Sequence, residues 1–197
     1  MNAQETTYPG RGRPDGGTAL PSYGPGLPSE DDIRLFGEIR GKVALDISCG
    51  RGLSLKYLAD RGAAELWGAD SSRACLDRTR ELLSESGYYV ELRQLRMEDM
   101  HSILESHFDF AYSIGGVNRS AVMPSVFEAA YRYLKPEGSL IISFDRGGLT
   151  ADCVNALAGA GFFIERLVVP DGSETAETGA PPSSFIIKAK KPPEYYY

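Results

Sequence analysis

Gly50, Gly52 and Asp70 are the residues whose types and spacing most clearly point to chemistry. The two glycines lie in the bend Ser48-Cys-Gly-Arg-Gly52, where missing side chains let a ligand approach the backbone. Free N–H groups at the start of a following helix are expected to point into that gap. Asp70 closes a second apolar run about one βαβ step later, where a carboxylate can accept both hydroxyls of a ribose. This is recognition of a nucleoside. Further along, His101, Asn118 and Asp145 are candidates for a base, although a lone His near a loop is more often an ordinary surface residue. Arg119 and Arg146 follow strand-like runs, where guanidinium groups suit a carboxylate or phosphate; the alternative is solvated surface.

Val43–Ile47 is a short run, β-branched at both ends and bounded by Gly41 and Gly50, and reads as a buried strand. Leu55, Leu58 and Ala59 have helical spacing after it, with Gly62 placed to end the helix. A second strand ends at Asp70. Ser71 or Ser72 can cap the next helix, which buries Leu76, Leu82 and Leu83 before Gly87. Tyr89–Leu95 is expected as the third strand and His107–Gly116 as the segment containing the fourth. A helix with Val126, Ala130 and Tyr133 or Leu134 inward then leads through a Pro-Glu-Gly turn to a fifth strand at Ser139–Phe144. A short helix from Thr150 to about Gly159 precedes two strand-like runs, 161–169 and 183–190. No helix joins these two, so they must pair antiparallel.

Residues 1–28 carry six glycines and five prolines among few aliphatics and form an arm. It is either a flexible leader or a segment whose Tyr8, Tyr23 or Pro-rich turns fold back over the ligand. Residues 29–197 form one domain. It opens on a helix capped by Ser29 with Asp32 at the capping-box position, and Ile33, Phe36 and Ile39 supply an apolar stripe.

A chain of 197 residues with 42% hydrophobic content accommodates one domain with a proper core. Its 27 acidic against 21 basic side chains argue against a large phosphate-neutralising surface. Cys49, Cys75 and Cys153 are odd in number and far apart, so they read as reduced thiols in a cytoplasmic protein, with Cys49 a small neutral filler. No run approaches the roughly 18 apolar residues of a membrane helix, and the N-terminus lacks the apolar core of a signal peptide.

Asp46 in the first strand, Gly50 and Gly52 in the bend, and Asp70 closing the second strand together resemble the class I S-adenosylmethionine-dependent methyltransferases, over about residues 29–190. The resemblance implies an α/β fold: a Rossmann-like three-layer α/β/α sandwich around a mostly parallel seven-stranded sheet, its last strand inserted antiparallel beside the fifth. It implies S-adenosyl-L-methionine as cofactor, held by Asp46, Ser48, Cys49, Gly50, Gly52, Asp70 and Ser71. Met97 and Glu98, with Asp99 beside them, would meet the adenine, and Ser113 and Ile114 would flank the methionine part largely through backbone atoms. Asn118, Arg119, Asp145 and Arg146 fall on the acceptor side. The sequence departs from the family at Ser48, where the first glycine usually stands, and at Arg96, where an acid is common. A non-left-handed backbone would accommodate Ser48, with weakened cofactor binding. Glu98 and Asp99 read alternatively as caps of a following helix.

The activity so implied is methyl transfer to an O, N or S atom of a small molecule, with no catalytic side chain and no metal assigned; Arg119 and Arg146, read as anion-binding, would make that molecule an anionic one. In-line displacement from a sulfonium needs mainly orientation in a dry site. Two other readings stay open: a non-catalytic cofactor-binding or interaction protein of this fold, and an NAD-dependent oxidoreductase, which the terminal hairpin disfavours. The fourth-strand exit reads Ser-Ile-Gly-Gly-Val-Asn, without the Asn/Asp-Pro-Pro-Tyr/Phe pattern of amino-directed nucleic-acid methyltransferases. Little chain lies between the fifth strand and the next helix. The acceptor pocket is therefore expected to be closed by residues 1–28, closed by the second subunit of a homodimer, or left open to a large acceptor such as a protein.

Overall fold

The computed structural model describes residues 19–96, 99, 103–117, 122–144, 151–170 and 184–194. Tyr8, Met97, Glu98, His101, Asn118, Arg119, Asp145 and Arg146 lie outside them, as does the closing Tyr195–Tyr197.

The chain alternates strands and helices from β1 (Val43–Ile47) through α2 (Leu53–Asp60), β2 (Glu65–Asp70) and α3 (Arg73–Glu85) to β3 (Glu91–Gln94). β4 (Phe108–Ile114), α4 (Met123–Tyr133), β5 (Leu134–Phe144), α5 (Ala151–Gly159), β6 (Phe163–Val168) and β7 (Phe185–Lys190) follow; a short α1 (Glu30–Ile33) precedes them. The seven strands form one sheet in the order β3-β2-β1-β4-β5-β7-β6. All neighbours from β3 to β5 are parallel, and β7 is antiparallel to both β5 and β6. The expected hairpin is thus present, with β7 filling the slot between β5 and the edge strand β6.

Alternation along the strands sorts the core into two clusters, one on each sheet face. Leu45 and Ile47 of β1, Leu140 and Ile142 of β5 and Ile187 of β7 join α4 and α5 through Val126, Phe127, Ala130 and Leu157. Ala44, Tyr112, Ile141 and Ile186 join α2 and α3 through Leu55, Leu58, Leu76 and Leu83, together with Leu20 and Tyr23. Helices thus cover both faces, giving the three layers.

The elements differ from the sequence expectation in three places. β3 is four residues long, because only Glu91–Gln94 stay in register with β2. β5 begins at Leu134, which pairs with Phe108, and the Lys135–Gly138 turn is an irregularity within that pairing, with Glu137 at φ 63°. The first helix does not carry an apolar stripe. It stops at Ile33, where Arg34 turns left-handed at φ 48°, although Ser29 and Asp32 make the expected N-terminal bonds. The cause is Glu30, whose buried carboxylate accepts the amides of Leu35 (2.8 Å) and Phe36 (3.0 Å) and the Tyr23 hydroxyl (2.6 Å). Those amides would otherwise continue the helical ladder. Phe36 and Ile39 are buried all the same, from an irregular segment.

Candidate functional site

The strand order reverses between β1 and β4: the chain proceeds outward through β2 and β3, then returns to build β4 and β5 on the other side. In open parallel sheets the crevice at the carboxyl ends of such strands receives the ligand. The bend of residues 48–52 leaves β1 at this point, and Asp70 ends β2 beside it.

The bend is held from within. The amides of Ser48 and Cys49 both donate to the Ala69 carbonyl (2.8 and 3.0 Å), Gly52 donates to the Cys49 carbonyl (2.9 Å), and Gly50 donates to Asp70 Oδ2 (2.9 Å). These four amides are therefore engaged by the fold rather than pointing free into the gap as expected, because buried donors must find partners. What the bend offers is space: a Cβ on Gly50, at φ 54°, would meet nothing within 4 Å. Gly52 has a different reason to lack a side chain. At φ 79° it caps α2, and a Cβ there would lie 2.6 Å from the Thr79 methyl. Thr79 is buried on α3, its hydroxyl donates to the Gly50 carbonyl (2.9 Å), and the sequence reading missed it. Its signal was its spacing, on the same helical face as Leu76 and Leu83.

Ser48 itself takes φ 79°, the left-handed region. The expectation of a non-left-handed serine is overturned, because two successive amides, 48 and 49, must reach one carbonyl on β2, which bends the chain sharply here.

Asp70 receives a second amide, from Ser72, on Oδ1 (2.8 Å), so each carboxylate oxygen is fixed by one N–H and keeps lone-pair capacity for another donor. Ser72, not Ser71, caps α3 by accepting from the Cys75 amide. Ser71 instead lines a small cleft, open to solvent, with Ile47, Ser48, Ala69, Asp70, Leu95 and Arg96. Its walls are apolar at Ile47, Ala69 and Leu95, with the Asp70 carboxylate at one side. That composition suits a nucleoside, whose base buries a flat face and whose ribose needs an acceptor.

Asp46 is buried in β1, in register with Tyr112 of β4. Burial pushes its carboxyl up to about 8; the Tyr112 hydroxyl opposes the shift without completing a regular hydrogen bond, and the charge of Asp70 adds to it. Cys49 is buried, with its Sγ 2.9 Å from where a Cβ on Gly68 would stand, and burial pushes its thiol up. Such a thiol packs rather than reacts. Ser113 and Ile114 are buried at the end of β4, and Asp99 is exposed. Among the described residues, no group of three or more His, Cys, Asp or Glu side chains could hold a metal ion, and no helix is long and apolar enough to cross a membrane.

Comparison with known proteins agrees with this geometry. A family model for a methyltransferase domain matches residues 44–138. The ubiquinone biosynthesis O-methyltransferase of Pseudomonas aeruginosa (strain LESB58) is 33% identical over 105 residues, covering 53% of this chain and 45% of that protein. The chain thus spans a little under half the length of such curated relatives. An S-adenosylmethionine-dependent methyltransferase from Mesorhizobium loti superposes with a TM-score of 0.65 at 19% identity, covering 81% of this chain and 95% of that one. A second, from Listeria monocytogenes, gives 0.64 at 18% identity, covering 82% and 95%. With β7 antiparallel and Asp70 at the tip of β2, the chain has the fold of the S-adenosylmethionine-dependent methyltransferases, residues 44–138 match a methyltransferase domain, and both imply S-adenosylmethionine as the cofactor.

Proposed function

We propose that this protein transfers the methyl group of S-adenosylmethionine to an oxygen, nitrogen or sulfur atom of a small molecule carrying an anionic group. The observation that carries the reading is the Asp70–Gly50 hydrogen bond, which fixes a carboxylate at the rim of the cleft at the strand-order reversal.

Each part of the site has a task in this reaction. Asp70 accepts from the ribose hydroxyls, since both its oxygens are already oriented by backbone amides. Ile47, Ala69 and Leu95 exclude water from the base. Ser48, Gly50 and Ser71 border the space in which the remainder of the nucleoside lies, and the family resemblance assigns Met97 and Glu98 to the adenine. When bound, S-adenosylmethionine supplies a methyl group on a sulfonium that is already activated for displacement. The chain therefore contributes orientation, and general-base help, worth roughly 10²–10⁴-fold, is dispensable for a good nucleophile.

On the acceptor side, Asn118 and Arg119 follow β4, and Asp145 and Arg146 follow β5, with the two guanidiniums reading the anionic group. Residues 1–28 serve as the cap over that side, with the catalytic domain in 29–197. In support, the Leu20 amide donates to Ser54 Oγ (3.1 Å) in the first turn of α2, so the described end of this segment is fastened next to the bend. The acidic balance of the chain favours a small acceptor over nucleic acid, and three free thiols suit the cytoplasm.

Incubation with methyl-labelled S-adenosylmethionine and a panel of anionic metabolites tests the reading, with label appearing in one class of acceptor. Arg119→Ala and Arg146→Ala then raise KM for that acceptor; unchanged KM values remove the anionic group from the account. Cofactor binding without transfer to any acceptor would favour the non-catalytic reading.

A further inference from the structure

β6 is an edge strand: among the described residues it pairs with β7 alone, so its other flank presents backbone groups that no strand engages. Seven large hydrophobic side chains stand exposed among the described residues, and four of them, Phe163, Ile164, Leu167 and Val169, lie in or just past this one strand. Single exposed hydrophobics are ordinary, whereas four on one edge mark a contact surface. The register against β7 assigns the strand's side chains to faces. Ile164 and Leu167 stand opposite Ala189 and Ile187, on the face covered by α4 and α5, while Phe163, Arg166 and Val168 stand opposite Lys190, Lys188 and Ile186, on the other. Glu165 is the extra residue of a bulge. Its carboxylate pairs with Lys188 (2.9 Å), on the same side as Arg166, which donates to the Ile33 carbonyl (3.3 Å). With residues 165 and 166 counted as one step, the strand alternates strictly. Read backwards it has the same chemistry: two apolar residues, an acid beside a base, two apolar residues.

We propose that β6 is the interface of a homodimer, pairing antiparallel with β6 of a second copy about a two-fold axis at residues 165 and 166. In such an interface, residue i facing residue j is matched by j facing i. The axis sets Ile164 against Leu167 and Phe163 against Val168, each pair on one face of the joined sheet. It also sets Glu165 of each copy against Arg166 of the other, so opposite charges meet twice. The bulge permits this arrangement. Without the extra residue, Ile164 and Leu167 would point to opposite faces and could not meet across the axis. Charges and bulges commonly keep an edge from pairing at random, and here a second copy supplies the order of charges that satisfies them. β6 lies three strands beyond β4, so the pairing leaves the cleft at β1 and β2 open.

Sedimentation equilibrium of the full chain over a range of concentrations tests the proposal, with a reversible dimer as the expected result. Glu165→Lys and Arg166→Glu change exposed side chains and leave the fold intact. Each sets like charges against each other across the axis and is expected to raise the dimer dissociation constant about tenfold. An equimolar mixture of the two variants recovers the affinity of the unmodified chain, because every acid then faces a base again. Damage to the fold would not be repaired by mixing. A monomer at every concentration, a dimer that both variants leave intact, or a mixture that associates no better than its components would overturn the proposal. Protection of the β6 amides from hydrogen exchange in a monomer would also overturn it, giving the edge to another segment of the same chain.

Discussion

Gly50 donates its amide to the carboxylate of Asp70 at 2.9 Å, across 20 residues of chain. This bond joins the end of β1 to the end of β2, and the Ser72 amide on the other oxygen leaves the carboxylate one orientation. Replacing Asp70 with Ala is expected to weaken S-adenosylhomocysteine by tenfold or more. It also costs about 1–3 kcal/mol of stability, because amides buried at the bend lose an acceptor. Calorimetric titration and urea unfolding of the same variant measure the two effects, and intact ligand affinity would remove Asp70 from the ribose.

Gly52 and Thr79 are coupled by contact. Gly52→Ala places a methyl group 2.6 Å from Thr79 Cγ2 at a φ of 79°, and is expected to destabilise the domain by about 2 kcal/mol or more. Thr79→Ser keeps the hydroxyl for the Gly50 carbonyl and removes the methyl that clashes. In a double-mutant cycle the pair therefore loses less than the sum of the single variants. Strict additivity would show that the strain at Gly52 lies in its backbone alone.

Asp46 makes stability fall as pH rises. Its carboxyl titrates near 3.8 when unfolded and at about 8 in the fold, chiefly through burial. Between those values the native state holds a proton that the unfolded state has released, so the contribution declines by up to about 1.4 kcal/mol per pH unit and levels off above pH 8. Asp46→Asn abolishes that component. Urea midpoints at pH 5 and pH 8 are expected to favour the variant at the higher pH; parallel profiles for the two proteins would refute the assignment.

Glu30 ties the segment before β1 to the domain. Tyr23→Phe removes one donor and is expected to cost about 1 kcal/mol, whereas Glu30→Ala strands the Tyr23 hydroxyl and the amides of Leu35 and Phe36 and costs several times more. Asp31 reinforces the attachment by accepting from Tyr57 and Arg61 of the α2 region, both at 2.8 Å. Equal losses in the two variants would mean the amides find other partners.

The sheet was legible because its strands obey local rules. Val43–Ile47 is bounded by glycines, and the two last strands lack the helix that a parallel return needs. Asp70 was legible because a carboxylate ending a second strand has a geometric meaning in such a sheet. The first helix was misread because Ile33, Phe36 and Ile39 fit a helical period, while the Glu30 carboxylate captures the amides that would continue it, a tertiary bond invisible in spacing. The Ser48 conformation was hidden for a similar reason: the Ala69 carbonyl that bends the chain belongs to another strand. Ile47, Ala69 and Leu95 look like core in any sequence, and only the fold shows that they also wall the cleft.

Binding of S-adenosylhomocysteine and of NAD to the unmodified chain, measured by calorimetry under the same conditions, tests the central claim most directly. The account predicts one saturable site for S-adenosylhomocysteine and no heat with NAD. Saturable binding of NAD, with none of S-adenosylhomocysteine at millimolar concentration, would contradict it.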